Sequence, residues 1–313
     1  MIRIPSMQRS IAAAHLEEES MTHPLDIHAG GTEIPAPADF RWPGGHRIAV
    51  FLRVSFEWWS DGKAPGIGPM GNPLKGGVPD LNAVGWAEYG HRRGVHRILD
   101  VLRRQNVRAT INVSGILAER YPEIVRRMAD EGHDVVAHSY TMDVIPVYLG
   151  EDEERANIER TTALIESAAG VKPRGWISPR STPGLNTPRL LAEAGYDWHG
   201  DTLNDDLPYL VQYGKRSIVA FPNNTEVNDL PLYMRYGNAP RVMLEIFEDW
   251  LQCARERETG AVRMDPAIHT HVFGRPLGMS VYERIIEVAK AANDVWIGTR
   301  SEAASHLRKV LRG

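Results

Sequence analysis

Three side chains with catalytic potential stand directly after short apolar runs of strand length. Glu57 follows RVSF, His138 follows DVVA and His269 follows PAI. A carboxylate can accept a proton from water, and an imidazole with an ordinary pKa of about 6.5 can carry and release one near neutrality. If the ends of these runs meet in space, the three residues form a candidate acid–base site. The plainer interpretation is a surface acid and two core histidines bonded to backbone.

Other polar and aromatic residues lie at comparable positions along the chain. The candidates to assist catalysis are Arg180 and Asp205, and the candidates to bind a substrate are Trp58, Trp59, Asn112, Trp176 and His271. His271 has an alternative structural role, and Arg180 and Asp205 alternatively form a scaffold ion pair. Burial beside Trp58 and Trp59 is expected to raise the pKa of Glu57 towards neutrality, which would suit a general base.

The elements that would position these residues alternate along the chain. Apolar runs of strand length occur at RIAVFLRVSF, RATINVS, DVVAHS, RGWISP, SIVAFP, AIHTHV and DVWIGT. Helix-length stretches with three- and four-residue apolar spacing separate most of them, as in GVHRILDVLRRQN. This alternation predicts parallel strands with crossover helices, closed or nearly closed into an α/β barrel of about seven strands. A doubly wound open sheet is the alternative, but SFEWWSDG lacks its Gly-rich phosphate turn.

Composition limits the classes of function. The 313 residues carry a formal charge of −4 and one cysteine, Cys253. No basic excess points to nucleic acid, no apolar run is long enough to span a membrane, and a lone cysteine favours a reducing, cytoplasmic location. Residues 1–39 are predicted to be an N-terminal arm and residues 40–313 the barrel, with Met1 or Met21 as the native start. The arm and the apolar helix at 242–254 predict a homo-oligomer.

A long Gly/Pro-rich segment at residues 60–84 follows Glu57 directly. Loops of this length in a compact domain are usually lids or binding loops. Together with Trp58, Trp59 and Met70, this segment is expected to enclose a small apolar pocket, which suits a small-molecule substrate. A disordered insertion is the alternative.

The ordered set SFE, HSYTM, SPRSTPG, DTLNDD and IHTHVFGRP resembles the polysaccharide deacetylase (carbohydrate esterase 4) superfamily. Within it, the allantoinase-like subgroup of cyclic imide and ureide hydrolases is most similar, and the resemblance covers roughly residues 40–311. It implies a distorted (β/α) barrel that hydrolyses an amide-type C–N bond. It also places Glu57 at the general-base position and His269 at the general-acid position. Arg180 and Asp205 fall on the arginine–aspartate pair that orients the base.

The resemblance also implies where a metal would bind. In metal-dependent members the ligands are the second acid of Phe-Asp-Asp and both histidines of His-Ser-x-x-His. The matching residues here are Trp58, His138 and Met142, and neither a tryptophan nor a thioether suits a zinc-like ion. The sequence therefore predicts no metal cofactor, although zinc held by Glu57, His138 and His271 stays an alternative. His138 is then free to serve in acid–base chemistry or, with Asn112, to stabilise an oxyanion.

The resulting hypothesis is a hydrolase that opens a small cyclic amide, imide or ureide without a complete metal site. One alternative is a metal-dependent N-deacetylase of an amino sugar or small acetamide. A second is a small-molecule-binding barrel without catalytic activity.

Overall fold

The computed structural model describes residues 26–71, 74 and 78–312. Its strands are β1 (Thr32–Ile34), β2 (Ile48–Phe51), β3 (Arg53–Phe56), β4 (Thr110–Val113), β5 (Asp134–Ala137), β6 (Gly175–Trp176), β7 (Trp198–His199), β8 (Tyr209–Tyr213), β9 (Arg216–Ala220), β10 (Val262–Met264), β11 (Ala267–His269) and β12 (Val295–Gly298). Its α-helices are α1 (Leu81–Tyr89), α2 (Val95–Gln105), α3 (Gly115–Arg120), α4 (Pro122–Asp130), α5 (Glu151–Ala169), α6 (Thr187–Glu193), α7 (Arg241–Glu256), α8 (Pro276–Ala291) and α9 (Arg300–Val310).

The strands form a distorted α/β barrel, which confirms the predicted fold class. Seven neighbouring strands, in the order β9-β7-β6-β5-β4-β3-β11, are all parallel, and β8 and β1 extend this sheet in antiparallel fashion beyond β9. A parallel bridge between Asn228 and Ala267 joins the segment after β9 to β11. The predicted number of about seven equals the size of this parallel set, but the members differ: the predicted run DVWIGT forms β12 of a second sheet, and the set includes β7, which was not predicted.

The first apolar run, RIAVFLRVSF, divides into two strands at Leu52. Strand β2 pairs with β10 and β12 in a separate three-stranded sheet, whereas β3 pairs with β11 and β4. Because side chains alternate along a strand, Arg53, Ser55 and Glu57 share one face. All three are buried, so β3 and the residue after it present a row of polar side chains to the interior of the barrel.

Strands β1, β7, β8 and β10 were not predicted. Strand β7 has two residues and β10 three, which is too short for a recognisable alternation. Strands β8 and β9 form a hairpin whose turn contains Gly214, with a positive φ of 55°. These elements are defined by their partners rather than by a local pattern.

The predicted N-terminal arm is described only from residue 26 onwards. Strand β1 pairs with β8, and the buried His28 places its Nε2 atom 3.2 Å from Nε2 of His199. Residues 1–25, including Met1 and Met21, lie outside the described part of the chain. The boundary between residues 39 and 40 stays a prediction.

The segment after Glu57 is shorter than predicted, since α1 begins at Leu81 with Asp80 as its cap. Its first residues are tethered: Ser60 N donates to Asp143, and Asp61 pairs with Arg120 at 2.8 Å. Met70 is 81% exposed, so it does not line a pocket as expected. Residues 72, 73 and 75–77 of this segment lie outside the described part.

A π-helical turn at Gly90–Gly94 joins α1 to α2 and approaches the loop after β11 closely. A Cβ atom at Gly94 would lie 1.9 Å from the carbonyl oxygen of Thr270, and one at Gly90 would lie 2.7 Å from the Thr270 hydroxyl. Both positions therefore require glycine, and the contact fixes the loop that carries His271. Among the described helices, none is long and apolar enough to cross a membrane.

Candidate active site

The three predicted acid–base residues meet inside the barrel mouth. The Oε1 atom of Glu57 lies 3.2 Å from Nε2 of His138 and 3.5 Å from Nε2 of His269. Glu57 directly follows β3, His138 directly follows β5, and His269 is the last residue of β11. Since β3 is next to β11, and only β4 separates it from β5, the carboxyl ends of these parallel strands bring the side chains together.

His269 is held by a carboxylate that the sequence analysis did not select. Its Nδ1 atom donates to Oδ1 of Asp229 at 2.6 Å, while Oδ2 of Asp229 accepts from the backbone N–H groups of His269 and Phe273. Asp229 is fully buried. This arrangement fixes the ring orientation and directs Nε2 of His269 at Glu57.

His138 is oriented by the neighbouring strand. Its Nδ1 atom lies 2.5 Å from the carbonyl oxygen of Ile177, and because a carbonyl only accepts, Nδ1 carries the hydrogen. The opposite nitrogen, Nε2, faces Oε1 of Glu57. His138 can therefore support or relay a proton at Glu57.

The expected upward shift of the Glu57 pKa is wrong. Burial by itself raises this pKa, but the nearby imidazoles of His269, His138 and His271 outweigh burial and lower it to about 2. Conversely, burial opposes the protonated form of His269, but Glu57 and Asp229 raise its pKa above the ordinary value. At neutral pH the site therefore holds a Glu57 carboxylate, and Glu57 and Asp229 favour the protonated form of His269.

Two further predicted residues border this pair with unused hydrogen-bonding atoms. Burial lowers the pKa of His271 to about 3, so its ring is neutral, and its buried Nδ1 has no partner among the described residues. Asn112 donates to the Ser55 hydroxyl at 3.2 Å, while its buried Oδ1 likewise lacks one. Such groups can hydrogen-bond a ligand's polar edge.

Some of the aromatic residues pack against histidines near the site, and Trp176 lies in the hydrophobic core. The ring of Trp59 packs edge-on to His271, and so does that of Trp86, which the sequence analysis did not select. Trp58 instead packs against His91. Trp176 is fully buried, and its Nε1 donates to Ser178. The expectation that Trp176 binds substrate is therefore wrong, because its strand turns the ring into the core.

The expected pairing of Arg180 with Asp205 is absent from the described residues. Arg180 is exposed on a turn with a positive φ of 60°, and the exposed Asp205 accepts from Leu207 N. In the same turn Ser178 donates twice to the buried Asp201, whose pKa burial raises to about 6. Arg180 and Asp205 are thus not placed to orient Glu57.

Asp229 and Asp201 had different signals in the sequence. Asp229 lies within NNTEVNDLP, far from any predicted strand end, and only the Asn228–Ala267 bridge brings it beside β11. Asp201 follows a two-residue strand, and its position alone did not separate it from the neighbouring acids of DTLNDD. Spacing in the sequence does not show which distant residue will hold a buried imidazole.

The residues at this site do not fit the metal of the metal-dependent relatives. Trp58 has no donor atom for a metal, and Met142 offers only a buried thioether. Among the described residues, the cluster of His, Asp and Glu side chains whose ligand atoms all lie within 4.8 Å is Asp26, His28 and Glu33. The alternative ligand set of Glu57, His138 and His271 does not form such a cluster.

Comparison with known proteins agrees with the geometry. A sequence model of the family described as "Polysaccharide deacetylase" matches residues 86–199. A Schizosaccharomyces pombe protein named "Putative polysaccharide deacetylase" is 25% identical over 305 residues, covering 84% of this chain and 91% of that relative.

Two solved structures resemble nearly the whole chain. They are those of a "probable Polysaccharide deacetylase" from Pseudomonas aeruginosa and of the allantoinase Puue. Each is 27% identical, has a TM-score of 0.78, and covers 92% of this chain and 98% of its own. Residues 86–199 therefore form a polysaccharide deacetylase family domain, and nearly the whole chain is similar to these two structures.

Proposed function

We propose that this chain opens a small cyclic amide, imide or ureide by general acid–base hydrolysis. Glu57 acts as the base and His269 as the acid, and the reaction uses no complete metal site. The observation that carries this proposal is the Glu57 carboxylate held between two imidazoles, with Asp229 behind one of them.

The similar proteins set the reaction class. The chain is a hydrolase that acts on carbon–nitrogen bonds other than peptide bonds, in keeping with its deacetylase and allantoinase relatives. The proposal concerns the substrate and the residues that perform the reaction.

The proposed steps balance around one water molecule. Water adds to the substrate carbonyl carbon while Glu57 accepts its proton, and the C–N bond then breaks as Nε2–H of His269 protonates the leaving nitrogen. The proton held by Glu57 can pass to His269 across their 3.5 Å contact, which restores both groups. Asp229 stabilises the imidazolium between turnovers.

The enclosure of the site favours a small substrate over a polymer. Glu57, His138, His269, Asn112 and His271 are each at most 7% exposed. A polysaccharide chain would need an open groove at these residues, whereas a single heterocycle needs only a compact pocket. The unpaired atoms of Asn112 and His271 offer hydrogen bonds to the N–H and C=O groups of such a ring.

The donor set supports catalysis without a Lewis acid. Trp58 and Met142 occupy two positions that supply metal ligands in the metal-dependent relatives. A strained ring amide or an imide is more readily attacked than an acyclic acetamide, so it places a smaller demand on a site of this composition. The alternatives, a metal-dependent N-deacetylase and a barrel that only binds ligands, give different experimental outcomes.

A turnover panel with and without chelator tests the proposal. We expect hydrolysis of one or more of allantoin, hydantoin, succinimide and phthalimide, unchanged by EDTA, and none of N-acetylglucosamine. Loss of activity in EDTA with recovery on adding Zn²⁺ would support the metal-dependent deacetylase. Binding without turnover across the panel would support the non-catalytic barrel.

Replacement of the base separates the roles of the residues. Glu57→Gln keeps the side-chain shape but cannot accept the proton, and should lower kcat by about 10²–10⁴. The exposed Glu159→Gln is the matched control and should leave kcat unchanged. If Glu57→Gln stays within a few-fold of the parent, Glu57 is not the base and His138 becomes the candidate.

A further inference from the structure

A cluster of three buried arginines, Arg53, Arg263 and Arg300, lies inside the barrel. They are 6%, 6% and 0% exposed. Arg53 is the first residue of β3 and lies on the same face as Ser55 and Glu57. The other two come from β10 and from the start of α9.

This arginine cluster is short of negative charge. Asp265 is the carboxylate in contact with it, accepting from Arg263 Nη1 and from Arg300 Nε at 3.0 Å. Asn223 Oδ1 accepts from Arg53 and from Arg300 Nη2 but carries no charge. Among the described residues, Arg263 and Arg300 share this one carboxylate and Arg53 contacts none, so the cluster has two more positive charges than contacting acids.

The same arginines have unused donors. Nε of Arg53, Nε of Arg263 and Nη1 of Arg300 are buried and have no hydrogen-bond partner in the described part of the chain. The ring of Phe221 lies 4.7 Å from Arg300 and 5.4 Å from Arg263, which offers some cation–π stabilisation but no acceptor. Buried charges are normally paired and hydrogen-bonded, so this cluster is prepared for an anionic group.

A cavity of about 590 Å³ leads to the cluster from the surface. It lies between residues 203–206, which follow β7, and residues 223–226, which follow β9. The buried Arg263 and Asn223 form its inner end, and the exposed acids Asp205, Asp206 and Glu226 surround its mouth. This volume is that of a small-molecule site.

The two ends of this cavity carry opposite charge. A simple anion at Arg263 would be repelled by the three carboxylates that line the same cavity, and a simple cation would be attracted to those carboxylates but repelled by Arg263. A ligand with a carboxylate at one end and a cationic group at the other satisfies both. We propose that this cavity binds a small zwitterion of the amino-acid class, with its carboxylate at Arg263 and its cationic group among Asp205, Asp206 and Glu226.

Glu57, His138 and His269 do not line this cavity, and the inference does not depend on the proposed hydrolysis. It also gives Asp205, a predicted catalytic residue, a different role at the mouth of the cavity. Loss of one proposal would leave the other standing, since the first is measured by turnover and the second by binding.

Binding of charge-matched probes tests the proposal. By calorimetry on the full chain, β-alanine and 4-aminobutyrate should bind at least about tenfold more tightly than propionate or propylammonium at the same pH and salt. The two zwitterions differ in length, so their order reports the separation of the two charged ends. If propionate binds as tightly as the zwitterions, or if neither zwitterion binds, the proposal is overturned.

Variants at the two ends locate the binding. Asp205→Asn with Asp206→Asn, both exposed, should weaken zwitterion binding about tenfold or more while leaving propionate binding unchanged or tighter. Exposed Glu248→Gln on α7 is the control and should change neither. Arg263→Gln should abolish binding, but it also breaks a buried ion pair, so the exposed variants carry the test. Unchanged zwitterion binding in the double variant would overturn the assignment.

Discussion

Glu57 keeps its negative charge in a buried position because positive charge is supplied on two sides. Burial favours the neutral acid, but the surrounding imidazoles reverse this and leave a carboxylate at every ordinary pH. The benefit is a base that is always ionised. The cost is that a carboxylate with so low a pKa is a weak base. The contact with His138 can offset this cost by sharing the proton that Glu57 receives.

The pH dependence of kcat/KM follows from these shifts. The base must be deprotonated, and with a pKa of about 2 for Glu57 no acid limb should occur between pH 4 and 6. The acid must be protonated, so activity should fall as pH rises through the raised pKa of His269, above 6.5. Rates on the true substrate from pH 4 to 10 would check this. An acid limb near pH 6 would show that the base titrates near neutrality instead.

Asp229 should act through His269 rather than on the substrate. Asp229→Asn keeps an acceptor for Nδ1 but removes the charge that raises the His269 pKa, so the basic limb should move down by about one pH unit or more. The readout is the pH profile of the variant beside that of the parent.

The control for Asp229 is a half-buried carboxylate, Asp134. Asp134→Asn removes an acid that accepts a hydrogen bond from Ser301 at the start of β5, and should alter stability without moving the basic limb. An unmoved limb in Asp229→Asn would mean that this aspartate is only structural.

At the scale of elements, the barrel's geometry depends on how closely α1 and α2 approach the segment after β11. The π-helical turn brings Gly90 and Gly94 against Thr270, which precedes His271. π-Turns inside helices often occur near functional sites, because they allow a helix to follow a surface that a regular helix would miss. Here the surface is the loop that follows His269, the proposed acid.

Gly94→Ala should therefore displace that loop. The added methyl would lie 1.9 Å from the Thr270 carbonyl, so the helix or the loop must move, with lower Tm and lower kcat. Gly85→Ala, on α1, is the matched control, because no atom lies within 4 Å of its Cβ. It should stabilise the helix by about 1 kcal/mol. Equal Tm for the two variants in thermal unfolding would contradict the packing argument.

At the scale of the whole molecule, the outer strand β1 is exposed along all three residues. It pairs with β8 on one side, and among the described residues no strand covers the other. The second motive for predicting an oligomer is weaker than the sequence indicated. Met243, Phe247 and Leu251 of α7 pack into the chain's own core. An open edge strand can still pair with a second copy.

Assembly into a homo-oligomer therefore stays a prediction. Sedimentation at micromolar concentration should give a species heavier than the 35.0 kDa chain. Dilution over two orders of magnitude would separate a stable assembly from a weak one. A single species near 35 kDa at every concentration would contradict the prediction.

The sequence by itself determined the strand–helix alternation and the class of residues at the barrel mouth. Long apolar runs specify buried parallel strands, because both faces of such strands are covered. A polar residue that directly follows such a run lies at the carboxyl end of the strand, and therefore at the mouth of the barrel. Glu57, His138 and His269 were therefore identified correctly as neighbours. The loss of two metal ligands could also be recognised from the sequence. Trp58 and Met142 occupy the ligand positions, and residue type alone decides whether a side chain can bind a metal.

Tertiary structure decided the electrostatics and the partners. The pKa of Glu57 depends on how burial and three imidazoles compare, and only their positions fix the sign. The expected Arg180–Asp205 pair is absent from the described residues, and the carboxylate that does hold a residue of the site is Asp229, which contacts His269 because a bridge at Asn228 carries a distant segment to β11. Charge interactions depend on distances between residues far apart in sequence, whereas strand and helix patterns depend on neighbours, so the sequence specified the elements and the folded chain specified their chemistry.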